Sequence, residues 1–291
     1  MTVQFGPAGN SDSFYDAGYK NTIDVFPWLA EQGLDVYEYQ CGHGARVREE
    51  TARALGARAA ASGIAVSLHA PYYISLASRD PQKRDNSLTY ILQSARIVDW
   101  LGGDRIVVHP GGLGGLSREA AAELAMDTLR RAQALLDEEG LPHIHICPET
   151  MGKLNQLGDF DEVLRFCSVD ERFLPCIDFG HLNSRTMGAV NSREAFAALL
   201  DAMENRLGRE RAACFHSHFS KIEYSAGGEK RHLTFADEIY GPQPAPLMEL
   251  LAERDIGPIV VCESCGTQTE DAAAMKALYL REKGSATNSC V

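Results

Sequence analysis

Apolar and polar positions alternate in two rhythms along this chain. Short β-rich runs occur at Val3–Gly6, Asp35–Tyr39, Ile64–His69, Arg105–His109, His143–Cys147, Phe173–Asp178, Ala212–His218 and Ile259–Glu263. Their length and aliphatic content predict strands. Between them lie longer amphipathic stretches at Ile23–Gln32, Arg46–Ser62, Leu88–Leu101, Ser117–Glu139, Phe160–Phe166, Ser192–Leu207, Pro246–Arg254 and Thr269–Glu282. In the third of these, Leu88, Ile91, Leu92, Ala95 and Val98 form one apolar stripe at helical spacing. The fourth opens on Ser117-Arg118-Glu119-Ala120, an N-cap followed by acid in the first turn.

Eight strands, each followed by a helix, predict a parallel sheet. Eight such units in 291 residues predict an α/β fold of one domain, a (β/α)8 TIM barrel. A doubly wound open sheet is the rival, but no Gly-x-Gly-x-x-Gly follows the first strand, which removes support for its dinucleotide-binding version. The barrel is expected to span residues 1–283. The small, polar stretch 284–291 reads as a flexible tail.

Composition narrows the function. With 45% hydrophobic and 23% charged residues, the chain is globular rather than disordered. Its formal charge of −12 argues against a binder that works by basic charge alone. No apolar run approaches the ~18 residues of a membrane span, and the N-terminus has no secretory pattern, so a cytoplasmic protein is expected. The eight cysteines then read as free thiols, the pair Cys262 and Cys265 included. The oligomeric state is left open.

The informative pattern is what stands at the strand ends. His69, His109, Glu149, Asp178, His216 with His218, and Glu263 each fall at or just past the C-terminal end of a different predicted strand. In a TIM barrel those ends converge on one mouth, where active sites lie. One such His or Asp reads more simply as a solvated residue or a helix cap. Six strands doing so together point to a divalent-metal site of oxygen and nitrogen donors suited to Zn²⁺, Mn²⁺ or Mg²⁺, because burying that many polar groups without a cation is costly. Two further groups are candidates: His181, three residues past Asp178, and His232 in the charged segment Glu229-Lys230-Arg231-His232. The glycine-rich Pro110–Gly115 reads either as an anion cradle or as a permissive turn.

These strings resemble the endonuclease IV family of apurinic/apyrimidinic endonucleases, within the xylose-isomerase-like barrels. The carriers are Ser67-Leu68-His69-Ala70-Pro71-Tyr72, Val107-Val108-His109-Pro110-Gly111-Gly112, Pro148-Glu149-Thr150, Asp178-Phe179-Gly180-His181, the stretch His216–Lys221, and Cys262-Glu263-Ser264. The resemblance implies a trinuclear zinc site; with this chain's departures from the family pattern, two or three zinc ions are expected, with Mn²⁺ or another divalent ion as the alternative. It implies that His69 and His109 hold one metal, with Glu149 bridging to a second held by Asp178, the strand-seven histidine and Glu263. It implies that His181 and His232 hold a third, and that Tyr72 contacts substrate. Glu149 and Glu263 are the catalytic candidates. The family's strand-seven His-Leu-Asn-Asp is replaced by His216-Ser217-His218-Phe219-Ser220-Lys221. Either histidine could match, and His218 fits the motif's shape better. The family's Asp-x-His has Glu229 one residue early here. The loop Gln40–Gly44 lacks the longer DNA-probing sequence.

Two activities follow as expectations. The first is metal-dependent hydrolysis of a phosphodiester in abasic DNA. The alternative is a sugar isomerase or epimerase acting on a small sugar or sugar phosphate, with one divalent ion held by Glu149, Asp178, His218 and Glu263.

Overall fold

The computed structural model describes residues 2–254 and 256–288. Eight parallel strands form the barrel wall: β1 (Gln4–Pro7), β2 (Val36–Gln40), β3 (Ala65–His69), β4 (Arg105–Val108), β5 (His145–Pro148), β6 (Cys176–Asp178), β7 (His216–Phe219) and, after a hairpin, β10 (Ile259–Cys262). Hydrogen-bonded ladders run β2-β3-β4-β5 and β6-β7-β10-β1. Single parallel bridges, Ala8 with Glu38 and Glu149 with Cys176, close the two remaining seams. The eight predicted strands are all present, and the barrel replaces the open-sheet alternative.

The wall is covered by α2 (Val25–Glu31), α3 (Glu49–Ala61), α4 (Pro81–Trp100), α5 (Arg118–Glu138), α6 (Phe160–Cys167), α8 (Arg193–Leu207), α10 (Ala245–Arg254) and α11 (Gln268–Asn288). Their boundaries follow local chemistry. The side chain of Asp80 accepts from the Gln82 amide with Pro81 next to it, so α4 starts about two turns before the apolar stripe. Ser117 caps α5 as its sequence predicts. Asp159 and Glu162 close a reciprocal capping box on α6. The expected tail starts inside α11, whose backbone continues through Gly284 to Asn288; residues 289–291 lie outside the described residues. No helix among the described residues is long and apolar enough to cross a membrane.

Strand side chains alternate between the two faces of the wall. The outward set, including Phe5, Leu68, Ile106, Ile146 and Val260, packs with the helices into the main core. The inward set is different. It forms two small apolar clusters, Val107, Cys147, Leu174 and Cys176 on one side, and Val36, Ile259 and Val261 on the other. Between and above them the barrel is filled with buried polar side chains: Glu38, Ser67, His69, Glu149, Asp178, His216 and His218.

Three short elements were not legible from the pattern. The helix α1 (Asp12–Asp16) follows β1, α7 (Phe179–Arg185) follows β6 at once, and α9 (Arg209–Ala213) occupies the start of the seventh predicted strand. After β7 the chain turns into an antiparallel hairpin, β8 (Lys221–Ser225) and β9 (Gly228–Leu233). This hairpin shapes the mouth of the barrel.

Candidate metal centre

The strand register brings the predicted residues to one height. Asp178 pairs with His218 across β6 and β7, and Val261, two residues before Glu263, pairs with the same His218. Among the described residues five groups have donor atoms mutually within 4.8 Å; three of them divide the residues of the mouth into ligand sets, His69, His109 and Glu149; Glu149, Asp178, His218 and Glu263; and His181, Glu229 and His232, while His69 with His218 and Glu263, and Cys176 with His216 and His218, overlap them. Glu149 belongs to the first two.

Glu149 is fully buried and faced by four imidazoles. His109 Nε2 and His69 Nε2 lie 2.9 and 3.4 Å from its Oε2. His218 Nδ1 and His181 Nδ1 lie 3.0 and 3.4 Å from its Oε1. Yet Oε2 of Glu149 and Oδ2 of Asp178 have no aligned hydrogen-bond donor, although ring nitrogens approach both. Buried carboxylate oxygens are normally satisfied by donors. Lone pairs that crowd together without N–H alignment are the arrangement expected of ligands around cations. The residues present therefore fit divalent metal ions.

The histidines are oriented from behind. His69 Nδ1 faces its neighbour's carbonyl, Ala70 O, at 2.9 Å. His181 Nδ1 faces Thr150 O at 2.9 Å. His232 Nδ1 meets Ser220 Oγ at 2.8 Å. His218 Nε2 meets Glu38. In His69 and His218 the contact occupies one ring nitrogen and turns the other toward Glu149, and in His181 it leaves Nε2 facing Glu229, which is how metal-binding histidines are held. Asp178 does two jobs: its Oδ1 caps α7 by accepting from the His181 amide at 2.7 Å, while Oδ2 faces the cluster. The cap reading and the ligand reading of this residue are thus compatible.

Two assignments take a different form in the structure. His216 stands with Cys176 and His218, a group whose donor atoms also lie within 4.8 Å of one another, and not in the set with Glu149 and Glu263. Its Nε2 faces Glu38 Oε2 at 2.9 Å, one layer deeper than His218, because residues two apart on a strand share a face but differ in depth. Glu229, one residue out of place in the sequence pattern, lies 3.4 Å from His181 Nε2. The reason is a bulge. Glu223 pairs with Arg231 while Tyr224 pairs with Glu229, so Lys230 is the extra residue. A bulge lets residues three apart share the face that residues two apart would otherwise share. Lys230 and Arg231 point away, both to Glu223.

Backbone approach holds the hairpin there. Gly228, at φ +93°, forms a bridge to Lys153, and a Cβ on it would stand 2.2 Å from the Gly152 carbonyl oxygen. Sequence reasoning also missed Glu38, an acidic residue mid-strand with the inward parity of the pleat.

Charge in the metal-free centre is shared unevenly. Burial, with help from the Glu149 and Asp178 carboxylates, pushes Glu263 up to about 8. Burial opposes protonation of His181, but Asp178, Glu149 and Glu229 outweigh it and raise the ring to about 10. Burial lowers His216 to about 4. Burial would raise Glu149, yet the histidines around it hold it well below the carboxylate range.

Tyr72, 56% exposed, leans over His69 and His109 with ring centroids 5.8 and 5.5 Å away. Two cavities flank the cluster. One of about 910 Å³ runs past Gln40, Thr234 and Gln268. The other, about 410 Å³, runs past Gly111, Met151 and Gln156. Both are bordered by Tyr72, Glu229, His232 and Glu263. The glycine-rich Pro110–Gly115 loop lines the smaller one through Gly111 and is tied down by a bridge from Gly112 to Gln156.

An uncharacterized protein of Methanocaldococcus jannaschii is 33% identical over 260 residues, 89% of this chain and 91% of that protein. A probable endonuclease 4 of Mycoplasma pneumoniae is 27% identical over 205 residues, 69% of this chain and 67% of that protein. Among solved structures, a D-tagatose 3-epimerase-like protein superposes with a TM-score of 0.72 at 18% identity, covering 98% of this chain and 100% of the other. Endonuclease IV from Thermus thermophilus superposes with a TM-score of 0.64, also at 18% identity, covering 96% of this chain and 99% of the other. The fold is therefore shared with an endonuclease IV and with an epimerase-like protein alike. The model of the xylose isomerase-like TIM barrel family matches residues 26–283, and the chain belongs to that family.

Proposed function

We propose that this protein is a zinc-dependent phosphodiester hydrolase of the endonuclease IV type, acting on DNA at apurinic/apyrimidinic sites. One observation carries the reading: the set Glu149, Asp178, His218 and Glu263 is flanked by two further ligand sets, His69 with His109 and His181 with Glu229 and His232. A single-ion sugar epimerase has no use for those five extra donors. The relatives named probable endonuclease 4 point the same way.

Bound in these sets, divalent ions would supply positive charge to the attacking and leaving oxygens of an in-line displacement. Imidazole and carboxylate donors suit zinc, with manganese the next choice. Glu149 bridges two sets and Asp178 fixes its neighbour through α7. Glu263 holds a proton near neutrality in the metal-free centre and gives it up when a cation takes its place. Tyr72 offers an exposed ring to the substrate beside the His69 and His109 set. The two cavities on either side leave room for groups on both sides of a phosphate, which a diester has. The free, mostly buried thiols suit a reducing cytoplasm.

The sugar isomerase or epimerase reading keeps one specific support, the formal charge of −12, which repels a polyanion outside the metal site. There Glu149 and Glu263 would shuttle protons beside a carbonyl. Substrate decides between them. Protein loaded with Zn²⁺ or Mn²⁺ is expected to incise a duplex 5′ to a single abasic site, and a chelator should stop it. No incision at protein excess with either metal, alongside epimerisation of a ketose, would reject the hydrolase.

Metal content tests the hairpin's part. Gly228→Ala adds a methyl against the Gly152 carbonyl and should push β9 off the mouth. The expected result is loss of the ion at His181, Glu229 and His232, with the other sets still filled, read by elemental analysis. Wild-type metal content in the variant would show that the hairpin does not hold that ion.

A further inference from the structure

Beneath the ligand sets lies a carboxylate that the proposed reaction does not use. Glu38, in the middle of β2, is completely buried. Its Oε1 accepts from Gln40 Nε2 at 3.0 Å and lies 3.1 Å from His218 Nε2. Its Oε2 accepts from Ser67 Oγ at 3.2 Å and faces His216 Nε2 at 2.9 Å and His218 Nε2 at 3.2 Å. A carboxylate accepts hydrogen bonds from the N–H groups that face it, and both ring nitrogens of His218 face carboxylates: Nε2 faces Glu38, while Nδ1 faces Glu149 Oε1 at 3.0 Å and Glu263 Oε1 at 3.5 Å. Nδ1 is the nitrogen on the ligand side, so it is the one that a cation among Glu149, Asp178 and Glu263 would take, leaving the proton on Nε2 toward Glu38.

We propose that Glu38, clamped from below by His216, is the positioning residue for His218: it fixes the Nε2–H tautomer and the ring angle, so that Nδ1 presents its lone pair to the cation held by Glu149, Asp178 and Glu263. The inference rests on the metal-centre reading above. The fold itself gives no reason for this pair. Glu38 and His216 lie between the two apolar clusters of the barrel interior, and apolar residues of similar volume would continue those clusters at equal or lower free energy. A carboxylate behind a liganding imidazole is instead the arrangement that orients metal ligands.

The variants are Glu38→Gln, which keeps the volume but removes the charge, and the double change Glu38→Leu with His216→Leu, which makes the interior apolar. Cobalt is titrated into metal-free protein against a competing chelator. Both variants are expected to bind cobalt at the His218 set about 10- to 100-fold more weakly, with an altered visible spectrum. Binding at His181, Glu229 and His232 should not change. A merely structural role for Glu38 would instead leave the double variant with wild-type affinity and spectrum, and that result overturns the proposal.

A second measurement needs no variant. Nitrogen-15 spectra of zinc-loaded wild type should show His218 protonated on Nε2 and metal-bound through Nδ1; the reverse assignment would overturn the proposal even if the variants failed to fold. Wild type that takes up no cobalt would reject the metal-centre reading and this inference with it. Wild type that takes it up, beside variants that bind equally well, rejects this inference alone.

Discussion

Glu149→Gln is expected to strip the centre of two of its three ligand sets. Glu149 is the one side chain common to the His69/His109 set and the Asp178/His218/Glu263 set, and four imidazoles face its two oxygens. The amide halves the oxygen donors and removes the negative charge that two cations would share. Elemental analysis should find that the ion at His181, Glu229 and His232 remains while the others are lost. Incision of abasic DNA should fall by roughly a thousand-fold or more, since cationic stabilisation of the reacting oxygens is worth several kcal/mol at about 1.4 kcal/mol per factor of ten. An E149Q protein with wild-type metal content would remove the bridging role, whatever its activity.

Chelation should make stability depend on pH in a direction that metal reverses. In the metal-free protein Glu263 rises from 4.5 to about 8 and His181 from 6.5 to about 10. His218 is also raised well above 6.5, because the carboxylates around it and the neighbouring Cys176 outweigh its burial. For each, the folded state binds the proton more tightly than the unfolded chain. Their contribution is complete below the unfolded value and is lost as pH rises through the folded one. His216, lowered from 6.5 to about 4, acts oppositely: its contribution is present above 6.5 and lost as pH falls toward 4. The chelated protein should therefore be most stable near pH 6.5 and melt progressively lower toward pH 9. Cations displace those protons, so metal affinity should rise with pH. At a thousand times its dissociation constant, a metal adds about 4 kcal/mol, on the order of 10 °C for a chain of this size. The gain should be larger at pH 8.5 than at pH 6.5. Melting curves with and without a chelator across this range provide the test. A gain that is the same at every pH would mean that these groups do not exchange their protons for metal.

Both effects depend on side chains whose proximity was only partly readable in advance. His69, His109, Glu149, Asp178 and Glu263 were legible because each ends an apolar run, and barrel geometry sends every such end to one mouth. Glu38 was not, because an acid flanked by Tyr37 and Tyr39 in a short strand carries no mark of facing inward rather than outward. The hairpin of β8 and β9 was hidden by its polar composition and its lack of any regular alternation.

The periodicity of the chain by itself determined the eight strands, their alternation with helices and the convergence of most ligand-type residues. These are local or topological properties, set by which residues follow one another. Depth and register were decided only by tertiary structure. The register between strands decides that His218, and not His216, stands level with Asp178, and the extra residue Lys230 turns Glu229 and His232 to one side. The contact of Gly228 with Gly152 brings that side over His181. Such distances come from closing the wall and packing the hairpin against it, and no spacing along the chain encodes them.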